Sequence, residues 1–399
     1  MKFTCTQQEL SRALSTVGYA VPRRSTLPIL STILFTTEEK RVQLAASDGE
    51  GLTITCRIKA TIEEPGSIAL PTKLLTEYIA SLQSPQISLS VQEGTSACHI
   101  TCGRSSANIH GMDPTQFPLI PRVEEGFSPI VIDAVLLKEV IDHVSFAAAK
   151  DDSRPIFTGM YVVVGNERLT FVAADSFRLA VRTLPIPEEL SNELLIPART
   201  MELLARILPD EGAVEMRGTS THNHVMFHTQ NVDLFAVLLE GTYANYTAAL
   251  PKEHTTRAIV KRQEFAAAVK EVASFARDGG NTVRMTIRGS ESQDGEPNTL
   301  TLEARAEERG NNVSVISATI AGDEQREMYL NAKYLSDVLG VMDVPEIALE
   351  VTSPRRPVVI KPVGPTDYQY VVMVQSISQT HPPQSTNALQ RKSEPVSAA

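Results

Sequence analysis

One segment of this sequence occurs three times. A chain that repeats itself at long period folds as copies of one unit. Pro71-Thr72-Lys73-Leu74-Leu75 and on to Leu82 matches Pro197-Ala198-Arg199-Thr200-Met201 and on to Leu208. It matches again at Asn331-Ala332-Lys333-Tyr334-Leu335 and on to Met342, so the offsets are 126 and 134. Each copy follows a short apolar run, Ile68-Ala69-Leu70, Leu194-Leu195-Ile196 or Met328-Tyr329-Leu330. That order predicts strand, tight junction, helix. A second pattern recurs at offsets 127 and 128: Leu10, Leu14, Val17, then Leu137, Ile141, Val144, then Phe265, Val269, Val272. Spacing i, i+4, i+7 is one face of an amphipathic helix. A third match, Leu44 to Asp48 with Leu52, aligns with Phe171 to Asp175 with Leu179.

The text between the helices reads as strands. Thr26–Phe35, Val42–Ala46, Thr53–Ile58, Ile87–Val91 and Ala97–Thr101 alternate or run apolar, and Phe157–Val164, Arg168–Ala173 and Leu179–Arg182 repeat the pattern. Each unit is therefore two helices on one side of antiparallel strands, an α+β layout. The expected domains are residues 1–122, 127–250 and 251–375, with candidate boundaries at Pro121–Gly126 and Leu250–His254. Residues 376–399 are rich in Ser, Thr and Gln with few apolar anchors, the composition of a disordered tail.

Composition narrows the function. Lys plus Arg is 37 and Asp plus Glu 47, a net charge of −10, so any basic surface is local. Trp is absent and aromatics are 5%, which argues against base stacking on single strands as the main activity. No apolar run is long enough to span a membrane, and Met1-Lys2-Phe3-Thr4-Cys5 lacks the apolar core of a signal peptide. Cys5, Cys56, Cys98 and Cys102 all fall in the first third, which reads as reduced thiols in a cytoplasmic protein. On a strand, Cys98, Ile100 and Cys102 share one buried face.

Catalytic signatures are missing. There is no Gly-Lys phosphate loop, no His-Glu-x-x-His and no Gly-x-Ser-x-Gly, and Gly49-Glu50-Gly51 lacks a third glycine. His222, His224 and His228 share a strand face with Met226, read as solvated in preference to metal-binding. Asp48 and Asp175 recur at matched positions, the pattern of a turn-capping acceptor. No cofactor or metal is implied.

One polar column does recur in all three copies: Lys73, Arg199 and Lys333. Three basic residues align by chance about once in a thousand columns, or about once in a hundred when some ten exposed columns are considered. Helical geometry turns this column some 200° away from the Leu75/Ile79 stripe. A cation near a helix N-terminus costs about 0.3–1 kcal/mol against the dipole. Its threefold recurrence there points to an anionic partner held through phosphates without base readout.

At the level of whole motifs the chain resembles the bacterial DNA polymerase III beta subunits, the sliding clamps. The resemblance runs from residue 1 to about 374. It rests on Met1-Lys2-Phe3-Thr4, Arg24-Ser25-Thr26-Leu27-Pro28-Ile29-Leu30, Ala173-Ala174-Asp175-Ser176-Phe177-Arg178-Leu179-Ala180 and Tyr370-Val371-Val372-Met373. It implies a head-to-tail homodimeric ring of clamp domains, helices inside and sheets outside, encircling duplex DNA. It implies tethering of the DNA polymerase III alpha subunit, docking of the clamp loader and other clamp-binding proteins, and no catalysis.

By position, the resemblance places a partner-peptide pocket on Phe157, Ala174, Ser176, Phe177, Arg178, Leu179, Ala244, Ala248, Ala249, Pro357, Val371, Val372 and Met373. Ala244 stands where the family usually has proline, Ala248 and Ala249 replace larger residues, and the chain continues past the usual end after Met373. The resemblance adds Arg24, Lys150 and Arg154 to the DNA contacts and maps the dimer contact to Ala107 and Ile109 against Ser274 and Phe275. The alternatives are a repeat scaffold that binds only proteins, and an enzyme using Asp48 and Asp175 or the histidines.

Overall fold

The computed structural model of the chain describes residues 1–92, 94–121, 129–186, 192–218, 223–289, 298–306, 310–322 and 325–376. Among these, the α-helices pack in pairs: α1 (Gln7–Gly18) with α2 (Thr72–Ser81), α3 (Ala134–Val144) with α4 (Ala198–Ile207), α5 (Arg262–Ala276) with α6 (Ala332–Val341). Local chemistry sets their starts. Thr6 and Asp133 accept the Glu9 and Leu136 amides, and Asn331 accepts those of Lys333 and Tyr334. The repeated apolar faces are fully buried: Leu10, Leu14 and Val17, then Leu137, Ile141 and Val144, then Phe265, Val269 and Val272. Each such side chain contributes about 1.5–3 kcal/mol on burial. They join the inner faces of the sheets in one continuous core.

The strands form antiparallel sheets of five, eight, nine and four strands among the described residues. Two of these cross from one repeat to the next. Strand Leu52–Lys59 of the first repeat pairs with Val232–Val237 of the second, from Leu52 opposite Ala236 to Cys56 opposite Val232. Strand Arg178–Pro185 of the second pairs with Tyr368–Val372 of the third, from Arg178 opposite Val372 to Arg182 opposite Tyr368. A part-buried ion pair crosses the first join. Asp233 is 5% exposed and accepts from Arg57 Nη1 at 2.6 Å and Thr55 Oγ1 at 3.2 Å, while His228 Nδ1 lies 2.5 Å away.

The expected strands Thr26–Phe35 and Phe157–Val164 both begin late. The first is a 3-10 turn over Pro28–Ser31 before strand Thr32–Glu38; the second is a 3-10 turn over Pro155–Thr158 before Gly159–Gly165. Pro28 and Pro155 fix φ at a value suited to a helical start and offer no N–H to a ladder. The histidine face is also not solvated throughout, since Met226 is buried and His228 is paired with Asp233. His222, the boundary residues 122–126 and the tail from 377 onward lie outside the described residues.

All four cysteines are buried free thiols, and Cys98 and Cys102 do share a face with Ile100. Burial pushes the Cys5 and Cys98 thiols up to about 12 and the Cys56 thiol to about 11. At pH 8 the folded protein should react with iodoacetamide far more slowly than the urea-unfolded chain, measured by intact mass against time.

Candidate partner groove and basic helix face

The repeated aspartates build matching turns. Asp48 Oδ1 accepts the amides of Glu50, Gly51 and Leu52 at 2.8–3.0 Å, and Asp175 Oδ1 accepts those of Phe177 and Arg178 at 3.0 and 3.1 Å. Both carboxylates are occupied in holding backbone, as a turn acceptor should be. Gly49 adopts φ +75° in the first turn, and at the matched position Ser176 adopts φ +78°. A side chain there costs about 1–2 kcal/mol of strain. Ser176 Oγ also accepts a hydrogen bond from Arg154 Nη1.

Past this turn, strand alternation sorts the expected pocket residues onto two faces. Leu179 and Val371 sit opposite each other and join an outer apolar cluster with Val172, Leu195 and Tyr243. Phe157, Ala174 and Ala249 pack against that cluster and are half-buried. Phe177 is 60% exposed beside it, and its carbonyl accepts the Met373 amide at 2.8 Å. Ala244 and Ala248 are exposed, and Pro357 and Met373 half-buried. Tyr161 stacks on Tyr243 with centroids 4.8 Å apart. Loss of solvent around the Tyr161 phenol, with Glu193 nearby, pushes it up to about 12, so this floor stays neutral.

Arg178 and Val372 were expected in the pocket, and the structure places them on the opposite face. Val372 is fully buried in the helix-side core. Arg178 is 4% exposed; its Nε donates to Asp175 Oδ2 at 2.9 Å and its Nη1 to Asp337 Oδ2 of α6 at 2.5 Å. The Tyr334 ring lies 4.6 Å and the Phe146 ring 5.5 Å from the guanidinium. Being one residue from Leu179 on a strand is enough to reverse the side chain's direction.

Lys73, Arg199 and Lys333 are exposed at the second residue of α2, α4 and α6. Arg24, Lys150 and Arg154 are exposed on loops. Among the described residues none of these six is within ion-pair distance of a carboxylate. The first helix of each pair adds exposed Arg12, Lys138 and Lys270, which form no repeated column and so left no signal in the sequence. No group of three or more His, Cys, Asp or Glu among the described residues could hold a metal ion. No helix among them is long and apolar enough to cross a membrane.

The profile of the DNA polymerase III beta subunit matches in three parts: the N-terminal domain over residues 1–121, the central domain over 131–245 and the C-terminal domain over 247–376. This chain belongs to the DNA polymerase III beta subunit family. It is 31% identical over 386 residues to a Bacillus subtilis (strain 168) protein named Beta sliding clamp, covering 94% of this chain and 98% of that one. A Staphylococcus aureus (strain Mu50 / ATCC 700699) protein of the same name is 30% identical over 374 residues, 91% of this chain and 96% of the relative. The crystal structure of the DNA polymerase sliding clamp from Bacillus subtilis superposes with a TM-score of 0.88 at 29% identity, over 95% of this chain and all of that one. The DNA polymerase III subunit beta from Pseudomonas aeruginosa gives 0.87 at 25% identity, over 94% of this chain and all of that one.

Two further surfaces bear on the family's assembly. Strand Ser105–His110 ends the five-stranded sheet, and strand Gly310–Ser317 ends the four-stranded one. Ile109 is 4% exposed and turns into its own core, so its backbone and the half-buried Ala107 form the edge. On α5, packed beside the other edge, Ser274 is exposed and Phe275 half-buried. The edge residues Val313 and Val315, 52% and 59% exposed, are a part of this surface that sequence reasoning missed, although their alternation in Asn311-Asn312-Val313-Ser314-Val315 carries the signal.

The arginine at the second join offers a direct test. Arg178→Ala leaves Asp175 and Asp337 facing each other without a counter-charge, and should destabilise the protein by about 3 kcal/mol in urea unfolding. Arg178→Lys should recover only part of this, because an ammonium cannot reproduce the two-pronged contact.

Proposed function

We propose that this chain is a DNA sliding clamp: two copies close head to tail into a ring, duplex DNA runs through the centre, and replication and repair proteins are tethered outside. The clamp itself performs no catalysis and acts in the cytoplasm. The observation that carries this reading is the pair of open sheet edges at opposite ends of the chain. Within the chain, each junction between repeats is a continuous sheet. Joining Ser105–His110 of one copy to Gly310–Ser317 of another would give a third kind of join with as many strands as the existing nine-stranded sheet. It would satisfy the unpaired backbone of both edges and, repeated twice, close the ring. Ala107 and the backbone of Ile109 would meet Val313 and Val315, with Ser274 and Phe275 alongside. The domains would be residues 1–122, 127–250 and 251–375.

In such a ring the helices face inward. Lys73, Arg199 and Lys333, with Arg24, Lys150 and Arg154 at the rim and Arg12, Lys138 and Lys270 between, would contact phosphates. Phosphate contacts carry no sequence information, so the DNA can slide. The outer apolar groove would take an extended peptide with Leu and Phe anchors from the DNA polymerase III alpha subunit, the clamp loader or other partners. Its lining is Phe157, Ala174, Ser176, Phe177, Leu179, Ala244, Ala248, Ala249, Pro357, Val371 and Met373, without the inward-turned Arg178 and Val372.

Two measurements test the ring and the DNA face separately. Phe275→Asp should place a charge in the intersubunit contact, where desolvation costs several kcal/mol, so monomer should accumulate at micromolar concentration in sedimentation velocity. A mutant that stays dimeric refutes this interface. Changing Arg24, Lys73, Arg199 and Lys333 together to Ala should weaken association with unrelated duplexes equally. It should also flatten the plot of log affinity against log salt by about 0.9 for each phosphate no longer neutralised. A sequence-selective loss, or none, refutes the phosphate-tracking face.

A further inference from the structure

The outer face of each repeat is built on one cross-strand triple. In the first repeat, Leu34 lies opposite Ala45 on one neighbouring strand and Ala69 on the other. The matched triples are Tyr161, Val172 and Leu195 in the second repeat and Arg284, Glu303 and Tyr329 in the third. The segment after the last strand of each repeat returns to this triple in the same way. The amides of Met112, Leu239 and Gln375 donate to the carbonyls of Ala69, Leu195 and Tyr329, each at 2.8 Å. In the first two repeats that segment then lays an aromatic ring over the triple. Phe117, five residues past Met112, is buried with Ala45 and Ala69, and Leu34 packs against them. Tyr243, four residues past Leu239, is buried with Val172 and Leu195 and stacks on Tyr161.

In the third repeat the triple is polar, and no ring covers it among the described residues. Arg284 Nη1 donates to Glu303 Oε2 at 3.2 Å and Nη2 to Glu327 Oε2 at 2.7 Å. Arg284, Glu303 and Tyr329 border a cavity of about 340 Å³ that Thr282, Asn312 and Val313 help to line. Arg284 Nε and Asn312 Oδ1 on its walls, and Gln375 Oε1 on the returning segment, are buried atoms with no hydrogen-bond partner among the described residues. Val374 packs on the core and Gln375 is held to Tyr329, so the chain is led to the rim of this cavity. Four and five residues past Gln375, where the other repeats carry their ring, the sequence has Gln379 and Thr380. A ring would cover the ion pair without serving its unpaired atoms, whereas an amide and a hydroxyl each offer both donor and acceptor.

We propose that residues 376–380 are a third strap, which crosses the outer face of the third repeat and fills the Arg284/Glu303 cavity with Gln379 and Thr380. All three repeats are then closed on one plan, with a polar filling where the triple is polar. Asn312 and Val313 belong to the open-edge strand Gly310–Ser317, so the strap braces that edge from its outer side.

Disulfide trapping in the full chain tests the path of the strap. Thr282→Cys, a small change on the cavity wall, is combined with one further cysteine at a time in place of Ser378, Gln379, Thr380 or Ser385. Bond formation in a glutathione buffer is followed by intact mass under denaturing conditions, and the four native thiols are buried. Gln379→Cys or Thr380→Cys should close roughly tenfold faster than both Ser378→Cys and Ser385→Cys, a contrast far steeper than loop length alone gives. The product should have the mass of one chain. Rates that fall smoothly along the series overturn the strap, and a product with the mass of two chains overturns it in favour of a second copy. A second measurement needs no added cysteine. Hydrogen exchange across Gly310–Ser317 should be roughly threefold faster or more in a chain ending at Gln375 than in the full chain, because the edge opens more often without its brace. Exchange that truncation leaves unchanged overturns the proposal.

Discussion

Backbone hydrogen bonding across the joins between repeats is the constraint on which everything else in this molecule depends. A sheet edge carries a row of unpaired donors and acceptors, and each repeat would present such rows on its own. The chain resolves them internally where Leu52–Lys59 meets Val232–Val237 and where Arg178–Pro185 meets Tyr368–Val372. These ladders fix the orientation of successive repeats more tightly than a loop connection could. Each is reinforced by a charged group drawn out of water: Asp233 at the first join, Arg178 at the second. Such pairs add little net stability over apolar packing, but leaving one partner alone is expensive, so they oppose any other register.

The same ladders divide labour between the two faces of each sheet. With a side-chain period of two, Ala180, Tyr368, Tyr370 and Val372 face the helices, and Leu179, Val181 and Val371 face outward. In the proposed clamp, partner binding and DNA contact would therefore occupy opposite sides of one strand pair without sharing side chains. Arg178 stands between them. Its backbone belongs to the strand that floors the groove, and its guanidinium holds α6, the helix that presents Lys333. Arg154 links the same regions from the other direction by donating to Ser176 in the groove turn.

Much of this was legible in the sequence. The apolar helix faces, the basic column at the second helical residue, the paired thiols Cys98 and Cys102 and the turn-forming roles of Asp48 and Asp175 follow from local periodicity or local hydrogen bonding, which neighbours in the chain decide. The strand starts at Thr32 and Gly159 were read too early, at Thr26 and Phe157, although Pro28 and Pro155 favour a helical start over a place in a ladder. The inward turn of Arg178 was less legible. Alternation alone separates it from Leu179, but a charged residue beside an expected pocket is assigned outward until its buried partners are known. Asp337 lies far along the chain, and only the fold brings it within reach.

By itself the sequence determined that the chain is three copies of one α+β unit and that each copy offers a cation on the free face of its second helix. Both are properties of short segments whose periods of 3.6 and two dictate which residues are buried. The tertiary structure alone decided how the copies join and which sheet edges remain open. Those outcomes depend on pairings between residues more than a hundred positions apart.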